Sequence, residues 1–199
     1  LFILEEDGRI DEQIFDEYTS LNLRYPPRFT QVSTEEEAFE NLRENRYELV
    51  IFMPNMDDTD MFTIARNIKH SYPEIPLVVL TAFSKEVSKR LSVADLSFVD
   101  YVFSWLGNSN LLLAIIKLIE DSMNVEHDVQ TVGVQVILLV EDSVRFYSSA
   151  LPSLFKIVFE ESREFSKEAL NEHQRMLRMR GRAKIMLARS YEEASAIYT

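Results

Sequence analysis

The stretch ELVIFM, residues 48–53, decides the fold class of this chain. After its first residue it is continuously apolar, which is typical of a central parallel strand that helices cover on both faces of a sheet. The stretch PLVVLT, residues 76–81, has the same character. Each run is followed by a segment with helical periodicity, and two such units predict a parallel sheet in an α/β protein.

The alternation of strand and helix runs through the first 123 residues. The predicted strands span residues 1–4, 28–32, 48–53, 76–81 and 98–103. The predicted helices span residues 10–23, 34–44, 59–71, 84–92 and 108–123. Ser33 and Thr34 offer a cap for the second helix. Because crossovers between such units are right-handed, we predict a doubly wound, five-stranded parallel sheet with strand order 2-1-3-4-5.

A second, partial copy of this pattern follows. Residues 124–133 are polar and aperiodic, which predicts a linker, and VQVILLVEDS at residues 134–143 is again a strand that ends in acids. LFILEED at the N-terminus matches ILLVEDS, and FTQVSTEEEAFENL matches IMLARSYEEASAIY. We therefore predict a complete domain at residues 1–123 and the N-terminal part of another at 134–199, with its remaining strands beyond Thr199.

The charge and composition disfavour several classes of function. Asp and Glu number 33 against 21 Lys and Arg, a net charge of −12 that repels the phosphate backbone of nucleic acids. No apolar run approaches the roughly 20 residues that a membrane span needs. The chain has no cysteine, which agrees with a reducing compartment. We expect a cytoplasmic protein that binds neither nucleic acid nor membrane.

Motifs for nucleotide or metal chemistry are missing from the sequence. Its four glycines lie too far apart to form GxGxxG or a Walker loop, and its three histidines have no metal-ligand spacing. They are Gly8, Gly107, Gly133, Gly181, His70, His127 and His173. We expect no catalysis by this fragment and no bound cofactor in its first domain, although a flavodoxin-like module that binds a small molecule stays an alternative.

Several motifs resemble the receiver domain of two-component response regulators. They are ILLVEDS, the helix starts EEEAF and YEEA, YPEIPLVVLTAFS at residues 72–84 and VDYVFSW at 99–105. The resemblance implies a flavodoxin-like fold and a phosphorelay mechanism. In that family an acidic pair after the first strand binds Mg²⁺, and an Asp after the third strand accepts a phosphoryl group from a histidine kinase. A Thr or Ser ends the fourth strand and a Lys ends the fifth, where its charge offsets that of the transferring group.

Part of this receiver pattern is present. Glu5 and Glu6 match the acidic pair of the first domain, and Thr81 matches the hydroxyl residue. In the second copy Glu141 and Asp142 match the acidic pair, so the resemblance implies that Mg²⁺ and a phosphoryl group reach that domain in the full-length protein. Its acceptor would lie beyond the residues given.

The rest of the receiver pattern is lost from the first domain. Met53 stands at the acceptor position, or Val50 does if Pro54 is aligned with the proline that usually follows the acceptor. Ser104 stands at the lysine position, followed by Trp105. A thioether or an alkyl group cannot act as the carboxylate nucleophile does. Residues 1–123 therefore resemble a pseudo-receiver that works through protein partners, a kinase or a downstream domain.

Two features near the strand ends have alternative interpretations. Asp57, Asp58 and Asp60 form either a helix cap or a loose cluster for a cation. Trp105 is either a packing residue or an anchor where a partner docks. The bacterial phosphoenolpyruvate synthase and pyruvate phosphate dikinase-like proteins have N-terminal regions that also resemble this combination of VFSWLGN and NEHQRMLRMRGR, which implies catalysis downstream.

The first helix of the second copy is unusually long. Residues 144–180 contain no glycine and a single proline, and their apolar residues form one stripe. The stripe consists of Tyr147, Leu151, Leu154, Val158 and Phe165. Because an exposed stripe of this size is uncommon on a soluble monomer, we predict a homodimer through residues 144–180. The competing interpretation is an arm or insertion whose stripe is covered within one chain.

Overall fold

The computed structural model describes residues 10–20, 26–54, 62–82, 95–105, 107, 109–167 and 181–198. These residues form six helices and five strands, so the predicted mixed α/β class is confirmed. The helices are α1 (Ile10–Ser20), α2 (Glu35–Glu44), α3 (Thr63–Ser71), α4 (Asn110–Val132), α5 (Val144–Lys167) and α6 (Tyr191–Tyr198). The strands are β1 (Val50–Phe52), β2 (Leu77–Ala82), β3 (Tyr101–Trp105), β4 (Val136–Val140) and β5 (Lys184–Ala188).

The chain divides into two compact units. The first unit comprises Pro27–Gly107, and the second combines residues that precede Pro27 with residues from 108 onward. Helix α1 therefore belongs to the second unit, although it comes first in the chain.

The first unit contains a three-stranded parallel sheet in the order β1-β2-β3. Val79, in the middle of β2, pairs with Phe52 of β1 and with Val102 of β3. Leu77 to Thr81 are all buried, since β2 lies between the two other strands. The continuous apolar run PLVVLT thus forms a central parallel strand, as its composition predicts.

Helix α2 begins with a complete capping box. The Thr34 hydroxyl accepts a hydrogen bond from the Glu37 backbone N–H, while the Glu37 carboxylate accepts one from the Thr34 backbone N–H. These two bonds satisfy donors that the first turn of a helix leaves without partners. The predicted helix start at Ser33 and Thr34 is confirmed.

Not every predicted element of the first domain is found. The predicted strand at residues 28–32 is wrong, because these residues have no regular secondary structure and are mostly exposed. A strand requires a neighbouring strand and a face to bury, and RFTQV has two apolar residues for that purpose. The strand predicted at residues 1–4 and the helix predicted at 84–92 lie outside the described residues.

Helix α4 begins the main part of the second unit. Its run from Leu111 to Ile119, apolar except for Lys117, is buried, and α1, in which Ile14 and Tyr18 are buried, packs against this helix. The predicted linker at residues 124–133 is helical up to Val132, because nothing in that polar stretch breaks a helix. The helix ends at Gly133, whose φ of 72° is the left-handed conformation that favours glycine at this position.

Strands β4 and β5 form a parallel pair in the second unit, as the partial second copy predicts. Helix α5 connects them and packs against α4. It is helical from Val144 to Lys167, and the rest of the long predicted helix lies outside the described residues. No helix in the described part of the chain is long and apolar enough to cross a membrane.

The apolar stripe of α5 is covered within the second unit. Tyr147, Leu151 and Val158 are buried, and Leu154 is half-buried. The side chain of Phe165 lies outside the described residues. Since α5 packs against α4, this stripe does not require a second chain to cover it.

Candidate functional site

Three of the predicted receiver positions lie at the carboxyl ends of neighbouring parallel strands. Thr81 of β2 and Ser104 of β3 are register partners, and both are buried. Met53 follows Phe52, the last residue of β1, and its side chain is 37% exposed. The ends of parallel strands are where α/β sheets usually bind ligands. The sheet of the first unit therefore brings these positions to one edge.

The three side chains at these positions lack the charged groups that phosphoryl transfer in a receiver uses. Met53, Thr81 and Ser104 include neither a carboxylate nucleophile nor a cation. The Thr81 hydroxyl donates a hydrogen bond to the Ala82 carbonyl oxygen at 3.3 Å. Val50, the alternative acceptor position, is the first residue of β1 and donates its backbone N–H to the Pro76 carbonyl oxygen at 3.0 Å. Of the two, Met53 stands at the strand end.

Trp105, the last residue of β3, lies beside Ala82 of β2 in the sheet. It is only 8% exposed, so most of its indole ring is removed from solvent. The indole Nε1–H is buried and has no hydrogen-bond partner among the described residues. The structure thus places little of this side chain where a partner would contact it.

The acidic residues expected near this edge lie outside the described part of the chain. Glu5 and Glu6 are outside the described residues, and so are Asp57, Asp58 and Asp60. Their predicted roles as a magnesium pair, a helix cap or a cation cluster stay predictions.

The acidic pair of the second copy lies directly after β4. Glu141 donates its backbone N–H to the Ala188 carbonyl oxygen at 2.9 Å, which extends the pairing of β4 with β5. Its carboxylate accepts a hydrogen bond from the Ser143 backbone N–H at 2.9 Å, and Asp142 is exposed. In the described ranges no group of three or more His, Asp or Glu residues is close enough to hold a metal ion. Glu141 and Asp142 are therefore two adjacent acidic residues at the end of β4.

A second polar cluster follows the end of β5. Glu193 accepts hydrogen bonds from the Arg189 backbone N–H at 2.7 Å and from the Arg189 guanidinium at 2.9 Å. The Ser190 hydroxyl accepts the Glu193 backbone N–H, so the YEEA motif begins α6 as predicted. Partial burial works to raise the pKa of Glu193, but the bonds from Arg189 outweigh it and the pKa is lowered.

The second unit contains a buried ion cluster that was not predicted from the sequence. The Asp121 carboxylate accepts two bonds from the Arg182 guanidinium, at 2.6 and 2.9 Å, and one from the Ile185 backbone N–H at 2.9 Å. Lys184 lies 3.8 Å from Asp121 and forms a shorter pair with Asp128 at 2.7 Å. The cluster joins α4 to the start of β5 and has a structural function.

A second buried group links α1 to α4. The Lys117 ammonium lies 4.4 Å from the centre of the Tyr18 ring and 2.5 Å from a Glu120 carboxylate oxygen. The Tyr18 hydroxyl donates to the other Glu120 oxygen at 3.4 Å. Burial lowers the pKa of Lys117 and raises that of Tyr18. The lysine inside the apolar run LLLAIIKLIE is a sequence signal from which this buried group could have been predicted.

Comparisons with models of protein families, with curated proteins and with solved structures find no match to this chain. The candidate sites rest on the geometry alone and are the two strand-end regions described above. They are the edge formed by Met53, Thr81 and Ser104 in the first unit and the carboxylates of Glu141 and Asp142 in the second.

Proposed function

We propose that the chain is a regulatory, receiver-like module of the cytoplasm that has no catalytic activity of its own. The first domain accepts no phosphoryl group and acts by binding a protein partner, a kinase or a downstream domain. One observation carries this proposal. Three parallel strands bring positions 53, 81 and 104 to one edge, as in a receiver, but the residues there offer a thioether and two hydroxyls, with no carboxylate nucleophile and no cation.

The packing of α1 against α4 supports the finer architecture. In a doubly wound sheet of order 2-1-3-4-5, the first crossover runs in the opposite direction from the next three. Right-handed connections then place the first helix on the face opposite to the second, third and fourth, where the fifth helix can join it. Helix α1 contacts α4, the counterparts of the first and fifth predicted helices. The described order β1-β2-β3 matches the third, fourth and fifth strands of that order, whereas residues 28–32, predicted as its second strand, form no strand.

The second domain repeats the first two βα steps. Strands β4 and β5 pair in parallel, and Glu141 and Asp142 follow β4 as an acidic pair follows the first strand of a receiver. We propose that this pair holds Mg²⁺ once an acceptor carboxylate from the rest of the domain completes the oxygen ligands. The homodimer predicted through residues 144–180 stays a prediction. The apolar stripe of α5, which the second chain was expected to cover, packs against α4.

The decisive experiment introduces a carboxylate and a cation at the strand ends of the first domain. In the Met53→Asp/Ser104→Lys variant the first domain regains a nucleophile and a cation next to Thr81. We expect this variant to bind beryllofluoride in a Mg²⁺-dependent manner, whereas the unaltered chain does not bind it. Trp105 is the sole tryptophan and directly follows residue 104, so its fluorescence reports binding at this edge.

Two further variants serve as controls. Met53→Asp alone keeps the buried Ser104 and should gain Mg²⁺ affinity with a smaller beryllofluoride response. Met53→Asn places a side chain of nearly the same shape as aspartate, without its charge, and should gain neither Mg²⁺ affinity nor a beryllofluoride response. Binding by the unaltered chain, or a folded double variant that binds no better than the Asn control, would refute the receiver-like assignment.

A further inference from the structure

One turn of α4 contacts both α1 and β5. Lys117 places its ammonium 4.4 Å from the centre of the Tyr18 ring of α1. Asp121 accepts hydrogen bonds from the Arg182 guanidinium and from the Ile185 backbone N–H at the start of β5. Lys117 and Asp121 are four residues apart, so they are neighbours on the helix surface. All three elements belong to the second unit, although in the repeat pattern α1 comes from the first copy and β5 from the second.

The side chains on this turn and their partners form one cluster that is removed from water. Tyr18 and Asp121 are each 1% exposed, and Lys117 is 6% exposed. The Arg182 side chain is 9% exposed and lies 5.1 Å from the centre of the Phe159 ring of α5. Burial is the main cause of the lowered pKa of Lys117, and the Arg182 charge adds to it. Charges that share such an environment act on each other more strongly than they do in water.

We propose that the docking of α1 and the anchoring of β5 are coupled through this turn of α4. While α1 lies on α4, the Tyr18 ring keeps water away from the cluster and so strengthens the pair between Asp121 and Arg182. When a partner displaces α1, water reaches the cluster and screens the pair, and the start of β5 is released. The coupling is reciprocal, so an event in the second copy that moves β5 weakens the docking of α1.

The coupling gives the first copy a means to regulate the second. Helix α1 is suited to release, because four of its six described side chains are exposed and two, Ile14 and Tyr18, are buried. The inference rests on the proposed function only for the partner that displaces α1. The coupling itself requires neither a partner nor a phosphoryl group and is measured in this chain alone. It can therefore hold where the beryllofluoride experiment fails, and fail where that experiment succeeds.

Amide hydrogen exchange at Ile185 measures the coupling, because this N–H donates to Asp121. Tyr18→Ala removes the ring that excludes water, and we expect the Ile185 amide to exchange at least roughly tenfold faster than in Leu151→Ala. Leu151 is buried in α5, so Leu151→Ala provides a general loss of stability within the same unit. Tyr18→Phe keeps the ring, and Phe15→Ala changes an exposed side chain of α1. Both should leave the Ile185 exchange rate close to that of the parent.

A double variant tests whether the two contacts share one cause. Arg182→Gln removes the guanidinium charge, and Tyr18→Ala/Arg182→Gln should raise the Ile185 exchange rate by less than the product of the two single increases. Exchange at Val79, in β2 of the first unit, should not respond. Tyr18→Leu takes the place of Tyr18→Ala if circular dichroism shows the latter to be unfolded. An increase no larger than that of Leu151→Ala, or a double variant that shows the full product, would overturn the proposal.

Discussion

Asp121 and Arg182 form a two-point ion pair in the second unit, with N to O distances of 2.6 and 2.9 Å. The Asp121 side chain is 1% exposed, and 61 residues of sequence separate the two partners. The carboxylate also accepts a hydrogen bond from the Ile185 backbone N–H. A single side chain thus holds the Arg182 guanidinium and the start of β5 against α4. Such a buried charge is tolerated only because it is fully paired.

The first prediction concerns this ion pair. Asp121→Asn keeps the shape of the side chain but leaves the Arg182 charge buried without its partner. Removal of one member of a buried pair typically costs about 3–5 kcal/mol, and we expect the free energy of unfolding to fall by that amount in urea titrations. The control is Glu193→Gln, which breaks the more exposed pair with Arg189 and should cost about 0–1 kcal/mol. Equal losses in the two variants would contradict the structural function of Asp121.

The second prediction is a dependence on alkaline pH. Burial and the neighbouring Glu120 carboxylate raise the pKa of Tyr18. An unfolded tyrosine ionises near pH 10, whereas the folded Tyr18 still keeps its proton. Above that pH the folded state binds more protons than the unfolded state, so the free energy of unfolding falls as pH rises. Tyr18→Phe should fall less steeply between about pH 9.5 and 11.

The matching control for this titration is the exposed Tyr191. Tyr191→Phe should leave the alkaline slope unchanged. Because the pKa of Lys117 is lowered, this residue makes the free energy of unfolding rise with pH up to the ordinary lysine pKa of about 10.4. The parent, Tyr18→Phe and Tyr191→Phe all contain Lys117. The difference between the parent and Tyr18→Phe therefore isolates the phenol. Parallel curves for these two proteins would show that Tyr18 ionises as freely in the fold as in the unfolded chain.

The third prediction concerns the start of β2 and β3 in the first unit. One Asp100 carboxylate oxygen accepts the Leu77 backbone N–H at 2.7 Å and the Lys69 ammonium at 2.8 Å. Asp100→Ala removes both bonds, and we expect a loss of about 1–3 kcal/mol in the free energy of unfolding. Asp100→Asn keeps an oxygen for Leu77 and Lys69→Met keeps the Leu77 bond, so each should lose less. An Asp100→Ala variant with the same free energy of unfolding as the parent would show that the sheet does not depend on this carboxylate.

The fourth prediction tests the beginning of α2. Thr34→Ala deletes the hydroxyl that accepts the Glu37 N–H, and loss of such a cap costs about 1 kcal/mol. The adjacent Ser33→Ala keeps the backbone N–H that donates to Glu37 and should be nearly neutral. Thermal unfolding of the two variants beside the parent measures the difference. A larger loss of stability for Ser33→Ala than for Thr34→Ala would contradict the assignment of Thr34 as the cap.

Much of the local structure was determined by the sequence alone. The runs that form β2, β4 and β5 predict strands because their apolar content requires burial, and Ser33–Thr34 predicts a helix start because of the bonds that a short hydroxyl side chain can form. These are local effects, which act over a few residues. The same kind of reasoning failed at residues 28–32, which have β propensity but no regular secondary structure.

Only the tertiary structure decided which distant groups meet. It paired Asp121 with Arg182, covered the stripe of α5 with α4, and placed Met53 rather than Val50 at the end of β1. No local pattern contains this information, because the energy of a buried charge or an apolar stripe depends on what lies opposite. The amino-acid sequence alone thus specified the class of the strands and the absence of a carboxylate at position 53 and of a cation at position 104. The arrangement of those positions along one sheet edge came from the pairing of β1, β2 and β3, which only long-range contacts specify.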